Sequence, residues 1–299
     1  MDKLTEKQWL KRKDLNIHKT FKQYQDFPAF SNIEFNLIAA CTRRCVFCPV
    51  SNPKYYELLY GDIRPKHITT DLYLKAIEDL KDIEYSGVIS YSGFGEPLLH
   101  PKLELLISLT KQHLISVRVV IISNGDLLNN SKIKGLFDAG LDEIVVSLYD
   151  GKAQLDKLRH IVKISGVPEE KVFFRRRYFN GRNYGFSISN RCGLVNIKSF
   201  DKIEVSIPLG KKCYYPFNFI KIDLNGDVLY CPHNWKKLNI PGNVTRNSIW
   251  EIWRSKKLEN IRHKLSQADR EFLPCSLCDV EGTKSGKEGY VAWENIQNI

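Results

Sequence analysis

"NIEFNLIAACTRRCVFCPV", residues 32–50, runs from a strand-like apolar stretch straight into three cysteines. Cys41, Cys45 and Cys48 fall within eight positions, with Phe47 just before the third. A structural zinc site asks for four ligands, usually as two close pairs. A disulfide framework asks for an even number of cysteines in an oxidising compartment. Three thiolates match a cubane iron–sulfur cluster that keeps one iron free of protein ligands. The rest of the chain has to decide among these readings.

Composition sets the limits. With 299 residues, 43% of them hydrophobic and 26% charged, the chain reads as an ordinary globular protein, large enough for one αβ core and an appendage. The N-terminal "MDKLTEKQWLKRKD" is too charged for a signal peptide, and no apolar run approaches membrane-spanning length. A cytoplasmic protein with no membrane partner is expected, in which the eight cysteines are metal ligands rather than disulfides. The formal charge of +11 suits nucleic acid, a phosphorylated substrate or an acidic electron-transfer partner, or else basic residues scattered over solvated helix faces. The densest basic cluster, "FFRRRYF" (173–179), sits inside a strand-like stretch instead of a basic arm, so nucleic acid is not the expected partner.

The order of elements points to an α/β fold. Strand patterns occur at 32–40, 87–93, 116–123, 142–148 and 171–179, separated by helical patterns at 70–83, 101–113, 131–140 and 152–165. Thr70 is read as the N-cap of the first helix, and Pro101 as the opening residue of the second. Strands alternating with helices at this interval mean crossover units and a parallel sheet, as a barrel or partial barrel. In such folds the chemistry collects in the loops after the strands. The three cysteines follow strand one, Gly93, Gly95 and Glu96 follow strand two, "SNG" (123–125) follows strand three, Ser147 ends strand four, and Arg175, Arg176 and Arg177 lie along strand five. Five successive strands deliver polar or metal-binding residues to one rim.

These residues resemble a known family. "CTRRCVFC" is similar to the CxxxCxφC motif of radical S-adenosylmethionine (SAM) enzymes, "GFGEP" to their GGE motif, and "SNG" to the sequence after their third strand. The resemblance implies a partial (β/α)6 TIM-like barrel over residues 31–200, behind an N-terminal extension over 1–30. It implies a [4Fe–4S] cluster on Cys41, Cys45 and Cys48 whose open iron chelates SAM. One electron then splits SAM, and the 5′-deoxyadenosyl radical takes a hydrogen atom from substrate. Phe47 is the motif aromatic. Gly93 and Gly95 let the backbone approach the methionine moiety, whose amino group is assigned to the Glu96 region. Ser147 contacts the ribose or carboxylate with Asn124 nearby, and one of the strand-five arginines, Arg175 or Arg177 by alternation, pairs with the carboxylate. A flavodoxin or ferredoxin is the implied electron donor.

Beyond residue 200 the pattern changes. Residues 211–235 read as a hairpin turning at Asn225-Gly226, with Cys213 before it and Cys231 at its end. A tryptophan-bearing helix follows at 247–267, then "CSLC" with Cys275 and Cys278. On the residues alone, zinc and iron–sulfur remain equally open for these four thiols. The order of these features resembles the C-terminal domain of SPASM-type enzymes in its shortened, twitch form. That implies a small hairpin and helix domain over 201–299, with one auxiliary [4Fe–4S] cluster ligated by Cys213, Cys231, Cys275 and Cys278.

Cys192, in "ISNRCGLVN", stands outside both sets. As free cysteine it is expected to be buried; as a catalytic residue it donates a hydrogen atom to a substrate radical, with Arg191 orienting a substrate hydroxyl. The resemblance leaves three routes: oxidation of a secondary alcohol on a sugar or aminocyclitol, epimerisation of such a substrate through Cys192, or modification of a peptide. About thirty residues precede strand one, fewer than the peptide-recognition domain of peptide-modifying relatives occupies. Oxidation of a small, carbohydrate-like molecule, neutral or anionic, is the favoured expectation, and a zinc-ribbon RNA-binding protein the outside alternative.

Overall fold

Short β-branched runs bounded by turns build the centre of the protein. In the computed structural model, which describes Gln8 and residues 22–62, 66–181, 183–200 and 205–297, strands β3 (Asn32–Phe35), β4 (Val88–Tyr91), β5 (Arg118–Ser123), β6 (Glu143–Leu148) and β7 (Val172–Arg176) pair in parallel in chain order. β6 is buried along its whole length, as expected of a parallel strand covered on both faces. The sheet does not close. It runs β10 (Gly242–Asn243), β9 (Asp227–Leu229), β8 (Phe219–Ile222), β3, β4, β5, β6, β7, and β8, the sixth parallel strand, lies beside β3. β8 is the first arm of the hairpin read from the sequence; β9 returns antiparallel to it, and β10 extends that edge. A separate two-stranded ribbon joins β1 (Gln23–Tyr24) to β2 (Phe27–Pro28).

Helices α2 (Thr70–Asp82), α3 (Leu103–His113), α4 (Asn130–Asp138) and α5 (Lys152–Ser165) pack side by side in chain order. α2 buries Tyr73, Ala76, Ile77 and Leu80, an i, i+3, i+4, i+7 stripe. Ile77 and Leu80 each contribute about 1.5–3 kcal/mol on leaving water. Its cap is Thr69, one residue earlier than expected, because the Thr69 hydroxyl accepts from the Leu72 amide at 3.3 Å while Thr70 is already helical. α3 likewise begins at Leu103, after Pro101. The expected single helix over 247–267 is two, α6 (Ile249–Trp253) and α7 (Lys256–Ser266). Ser248 caps α6 in a capping box with Glu251, and extended Ser255 caps α7 by accepting from the Leu258 amide. Helices α1 (Tyr55–Tyr60) and α8 (Lys287–Gln297) complete the set among the described residues. The charged N-terminal stretch read from the sequence lies outside the described residues apart from Gln8, and no described helix is long and apolar enough to cross a membrane.

Candidate active site

The loop leaving β3 carries its three thiols over the C-terminal ends of the strands and is fixed there by charge. Arg43, inside the cysteine motif, forms bidentate bonds to Asp126 after β5 (2.7 and 2.5 Å) and to Asp150 after β6 (2.9 and 2.6 Å). The hydrogen bonds to Asp150 raise the Arg43 pKa, and the Asp150 carboxyl is held below its usual range by the same guanidinium. Thr42 adds a bond from Asn124 Nδ2 at 2.8 Å and donates to Asp126 at 3.1 Å. Gly95, after β4, passes under this loop: a Cβ there would stand 2.0 Å from the Ile38 carbonyl oxygen, so only glycine allows the crossing.

A cavity of about 200 Å³ opens beneath the loop. Cys41, Cys45 and Cys48 line it with Phe47, Gly93, Gly95 and Glu96, together with Asn124, Ser147, Arg177 and Arg191. Phe47 is buried between Phe186 and Tyr184, at 5.0 and 5.5 Å between ring centroids, and stacks on Tyr149 at 6.2 Å. The Glu96 carboxylate is already engaged, accepting from the Ser123 hydroxyl (2.7 Å), the Asn124 amide (2.8 Å) and the Leu98 amide (3.1 Å). Burial raises its pKa against these bonds. It latches the loop after β4 to the end of β5. Arg175, the in-register partner of Ser147, is not among the lining residues, whereas Arg177 is, with its guanidinium 4.2 Å from the Phe186 ring centroid.

The far wall comes from the segment after β9. Trp235 packs on Phe94 at 4.7 Å and is 7% exposed, with its Nε1 lacking a partner among the described residues. Lys221 of β8, buried against Glu34 at 2.8 Å, places its ammonium 3.8 Å from the Phe94 ring centroid. The Arg191 guanidinium lies 5.6 Å from the Trp235 ring, bonds His233 Nδ1 at 3.2 Å, and leaves Nε buried without a partner among the described residues. Arg43, Trp235 and Lys221 escaped the sequence reading. For Arg43 a signal existed in the acidic residues directly after two strands, "SNGD" and "LYDG"; for Lys221 and Trp235 none did, because the position of β8 beside β3 is a long-range fact.

The other cysteines gather on the far side of this wall. Cys192, which does not line the cavity, is 2% exposed; its thiol donates to the His233 carbonyl at 3.0 Å and is also hydrogen-bonded to Cys278, which raises the pKa of Cys192 and lowers that of Cys278. Cys231 and Cys275 lie near Cys192, and Cys213 near Cys231 and Cys275. Arg270 organises this second group: it is 2% exposed, and its guanidinium donates to the carbonyls of Lys211 (2.8 Å) and Lys212 (2.9 Å) before Cys213, and of Val280 and Glu281 (both 2.7 Å) after Cys278. Gly282, at φ +79°, comes so close that a Cβ would meet the Cys213 sulfur at 2.5 Å.

Both groups suit iron–sulfur ligation. Burial is the first cause that pushes up Cys41, Cys48 and Cys231, takes Cys45 to about 12 and Cys213 to about 11, so bare thiolates are disfavoured and a bound cationic centre is what ionises them. The backbone is arranged for negative sulfur: the amides of Arg43, Val50, Tyr215, His233 and Val280 each point at the cysteine two residues earlier. Among the described residues no three His, Cys, Asp or Glu side chains converge at the distances of ligands around a single ion; ligands on the corners of a cubane stand further apart.

Known proteins agree with this arrangement. Residues 35–172 match the family model of the radical SAM superfamily, and residues 213–279 that of the SPASM iron–sulfur cluster-binding domain. The chain is similar to the S-adenosyl-L-methionine-dependent 2-deoxy-scyllo-inosamine dehydrogenase of Niallia circulans, 28% identical over 243 residues that cover 81% of this chain and 89% of that one. It is also similar to the PqqA peptide cyclase of Gluconobacter oxydans, 28% identical over 149 residues, covering 44% and 39%. Among solved structures it shares the fold of BtrN in complex with AdoMet and 2-DOIA (TM-score 0.71, 24% identity, 87% of this chain and 97% of that one). Streptococcus suis SuiB bound to S-adenosylmethionine shares it more loosely (TM-score 0.54, 14% identity, 92% and 82%). The cofactors are SAM and two [4Fe–4S] clusters, one SAM-binding and one auxiliary. With a cysteine set in each matched segment, the chain belongs to the radical SAM superfamily, as an enzyme with a SPASM-type iron–sulfur domain.

Proposed function

We propose that the protein is a cytoplasmic radical SAM dehydrogenase that oxidises a secondary alcohol of a small carbohydrate- or aminocyclitol-like molecule. When bound, the two clusters supply one-electron chemistry, reductive cleavage of SAM at one and acceptance of the substrate's second electron at the other. Cys41, Cys45 and Cys48 hold the first, and Cys213, Cys231, Cys275 and Cys278 the second. Gly93 and Gly95 admit the methionine moiety, and Asn124, Ser147 and Arg177, which line the same cavity, bind its carboxylate and the ribose. Arg191 and Trp235 line the cavity, where a guanidinium and an indole suit a polyhydroxylated substrate; the guanidinium also suits an anionic substituent. Residues 31–200 form the radical core, 201–299 the auxiliary domain and 1–30 an extension. A flavodoxin or ferredoxin delivers the electron.

The observation that carries this reading is the turn over Asn190–Cys192. Arg191 lines the cavity, while the next residue, Cys192, turns to the second group of thiols. A substrate held by Arg191 is thereby set between the SAM-binding site and an electron acceptor, as oxidation requires, and the thiol needed for epimerisation faces away from the cavity. The similarity to a dehydrogenase over most of both chains supports the same choice. The test is anaerobic turnover of a panel of sugars and cyclitols, 2-deoxy-scyllo-inosamine among them, with SAM and reductant in deuterated water. Ketone and 5′-deoxyadenosine in equal amounts are expected, with no deuterium in the carbon skeleton beyond exchange next to the carbonyl. An inverted, deuterated alcohol would replace oxidation by epimerisation.

A further inference from the structure

The glycine-bearing loop after β4 is held by side chains that lie behind the cavity. Asn36, the first residue after β3, is buried against it: a Cβ on Gly93, at φ +114°, would stand 3.3 Å from both the Cβ and the Oδ1 of Asn36. That Oδ1 accepts from the Phe94 amide at 3.0 Å, while the Tyr56 hydroxyl of α1 donates to the Phe94 carbonyl at 2.7 Å. Both backbone groups of Phe94 are thus engaged by side chains. The Nδ2 of Asn36 donates to Asp223 Oδ1 at 2.6 Å and to the Tyr60 hydroxyl at 3.0 Å, and this hydroxyl donates to Asp223 Oδ1 at 2.8 Å. Asp223, directly after β8, is fully buried; Lys237, beyond β9, pairs with it at 2.7 Å and with Asp227 of β9 at 2.9 Å. A carboxamide accepts from an amide on one side and donates to a carboxylate on the other, which neither a carboxylate nor an alkyl group does. A buried ion pair adds little stability over an apolar filling of the same shape; the pair of Asp223 and Lys237 instead gives Asn36 a direction.

We propose that Asn36 is a positioning residue for SAM, aimed by Asp223: it sets the peptide planes of Gly93, Phe94 and Gly95 so that the methionine moiety meets a preformed loop. The hairpin β8–β9 thereby serves the SAM site through Asp223 as well as the second group of thiols through Cys231. This inference rests on the reading that Gly93 and Gly95 receive the methionine moiety.

The experiment is equilibrium dialysis of labelled SAM against the full-length, anaerobically iron-loaded protein without reductant, so that binding is read and no turnover intrudes. Asn36→Asp keeps an acceptor for the Phe94 amide but sets a second carboxylate against Asp223. At unchanged iron content its SAM dissociation constant is expected to rise about tenfold or more, the scale of one lost hydrogen bond to a charged group. The buffer is mildly alkaline, so that a proton shared by the two carboxylates does not replace the missing donor. Combining Asn36→Asp with Asp223→Asn exchanges donor and acceptor, and the double variant is expected to recover most of the lost affinity. In Asn36→Ala the Phe94 amide should exchange with deuterated water faster than in the wild type, and SAM should again bind about tenfold more weakly; this variant carries the test if Asn36→Asp fails to fold. A purely structural role would lower the thermal midpoint and leave the dissociation constant of the folded protein unmoved. Wild-type affinity in Asn36→Asp or Asn36→Ala would overturn the inference, as would a double variant no better than Asn36→Asp. An iron-loaded wild type that binds no SAM would overturn the reading of the loop, and this inference with it.

Discussion

Arg43 shows how one side chain fixes a reactive loop. Three thiols on a loop of ordinary flexibility offer no defined site; the guanidinium that ties this loop to the ends of β5 and β6 gives them one. Arg43→Leu is expected to leave the fold intact and to lower 5′-deoxyadenosine formation by about 10- to 100-fold, the usual cost of losing a residue that orients metal ligands. Steady-state assay beside the wild type's circular dichroism checks both halves. His100 gives a prediction about pH. It is 2% exposed, with Nε2 3.2 Å from the Ile68 carbonyl and Nδ1 accepting from the Lys102 amide at 3.2 Å, and burial pulls its pKa down to about 4. Because that lies below the value near 6.5 of a free histidine, the unfolded chain takes up the proton first, and stability falls as the pH drops from about 6.5 towards 4. Urea midpoints at pH 7.5 and 5.5 should therefore fall further for the wild type than for His100→Gln; an equal fall in both would remove His100 as the cause.

At the scale of elements, the hairpin β8–β9 links the two cysteine groups. Its first arm completes the parallel sheet beside β3, and the chain leaving its second arm brings Cys231 to the second group of thiols and Trp235 into the wall of the cavity. Long segments separate Cys213, Cys231 and Cys275, so a metal cluster that gathers them closes loops and adds folding energy. Replacing any of these three by alanine is expected to release the auxiliary iron and lower the thermal midpoint, read together by iron analysis and calorimetry; retained iron with an unchanged midpoint would contradict the ligand set. Arg270→Gln tests the scaffold without touching a ligand. It removes most of the bonds to four carbonyls flanking Cys213 and Cys278, and a loss of about 3 kcal/mol or more is expected from chemical denaturation. Sequence alone showed the hairpin through its Asn225-Gly226 turn, and Gly226 indeed has φ +86°. It did not show the break between α6 and α7, since Ser255 looks helical until it is seen capping the second helix.

For the whole molecule, alternating strands and helices made the open parallel sheet legible, and the loops after its strands disclosed the lining of the cavity from Cys41 to Arg177. Local pattern can do this because each strand end lies next in sequence to its own loop. What stayed hidden depends on contacts between distant segments: Lys221 under Phe94, Trp235 in the wall, Arg270 between two cysteine segments, and Cys192 against Cys278. The formal charge of +11 belongs to this scale too. An acidic electron donor is drawn to such a surface at long range, so reduction by flavodoxin should slow as salt rises from 50 to about 500 mM, where screening shortens the reach of charge to a few ångströms. A rate indifferent to salt would assign the charge another purpose. The central claim is that Cys41, Cys45 and Cys48 make one SAM-cleaving site, and anaerobic SAM cleavage by the iron-loaded protein with dithionite tests it most directly. The account predicts 5′-deoxyadenosine from the wild type and none above background from Cys41→Ala, Cys45→Ala or Cys48→Ala; formation at the wild-type rate by any of the three would contradict it.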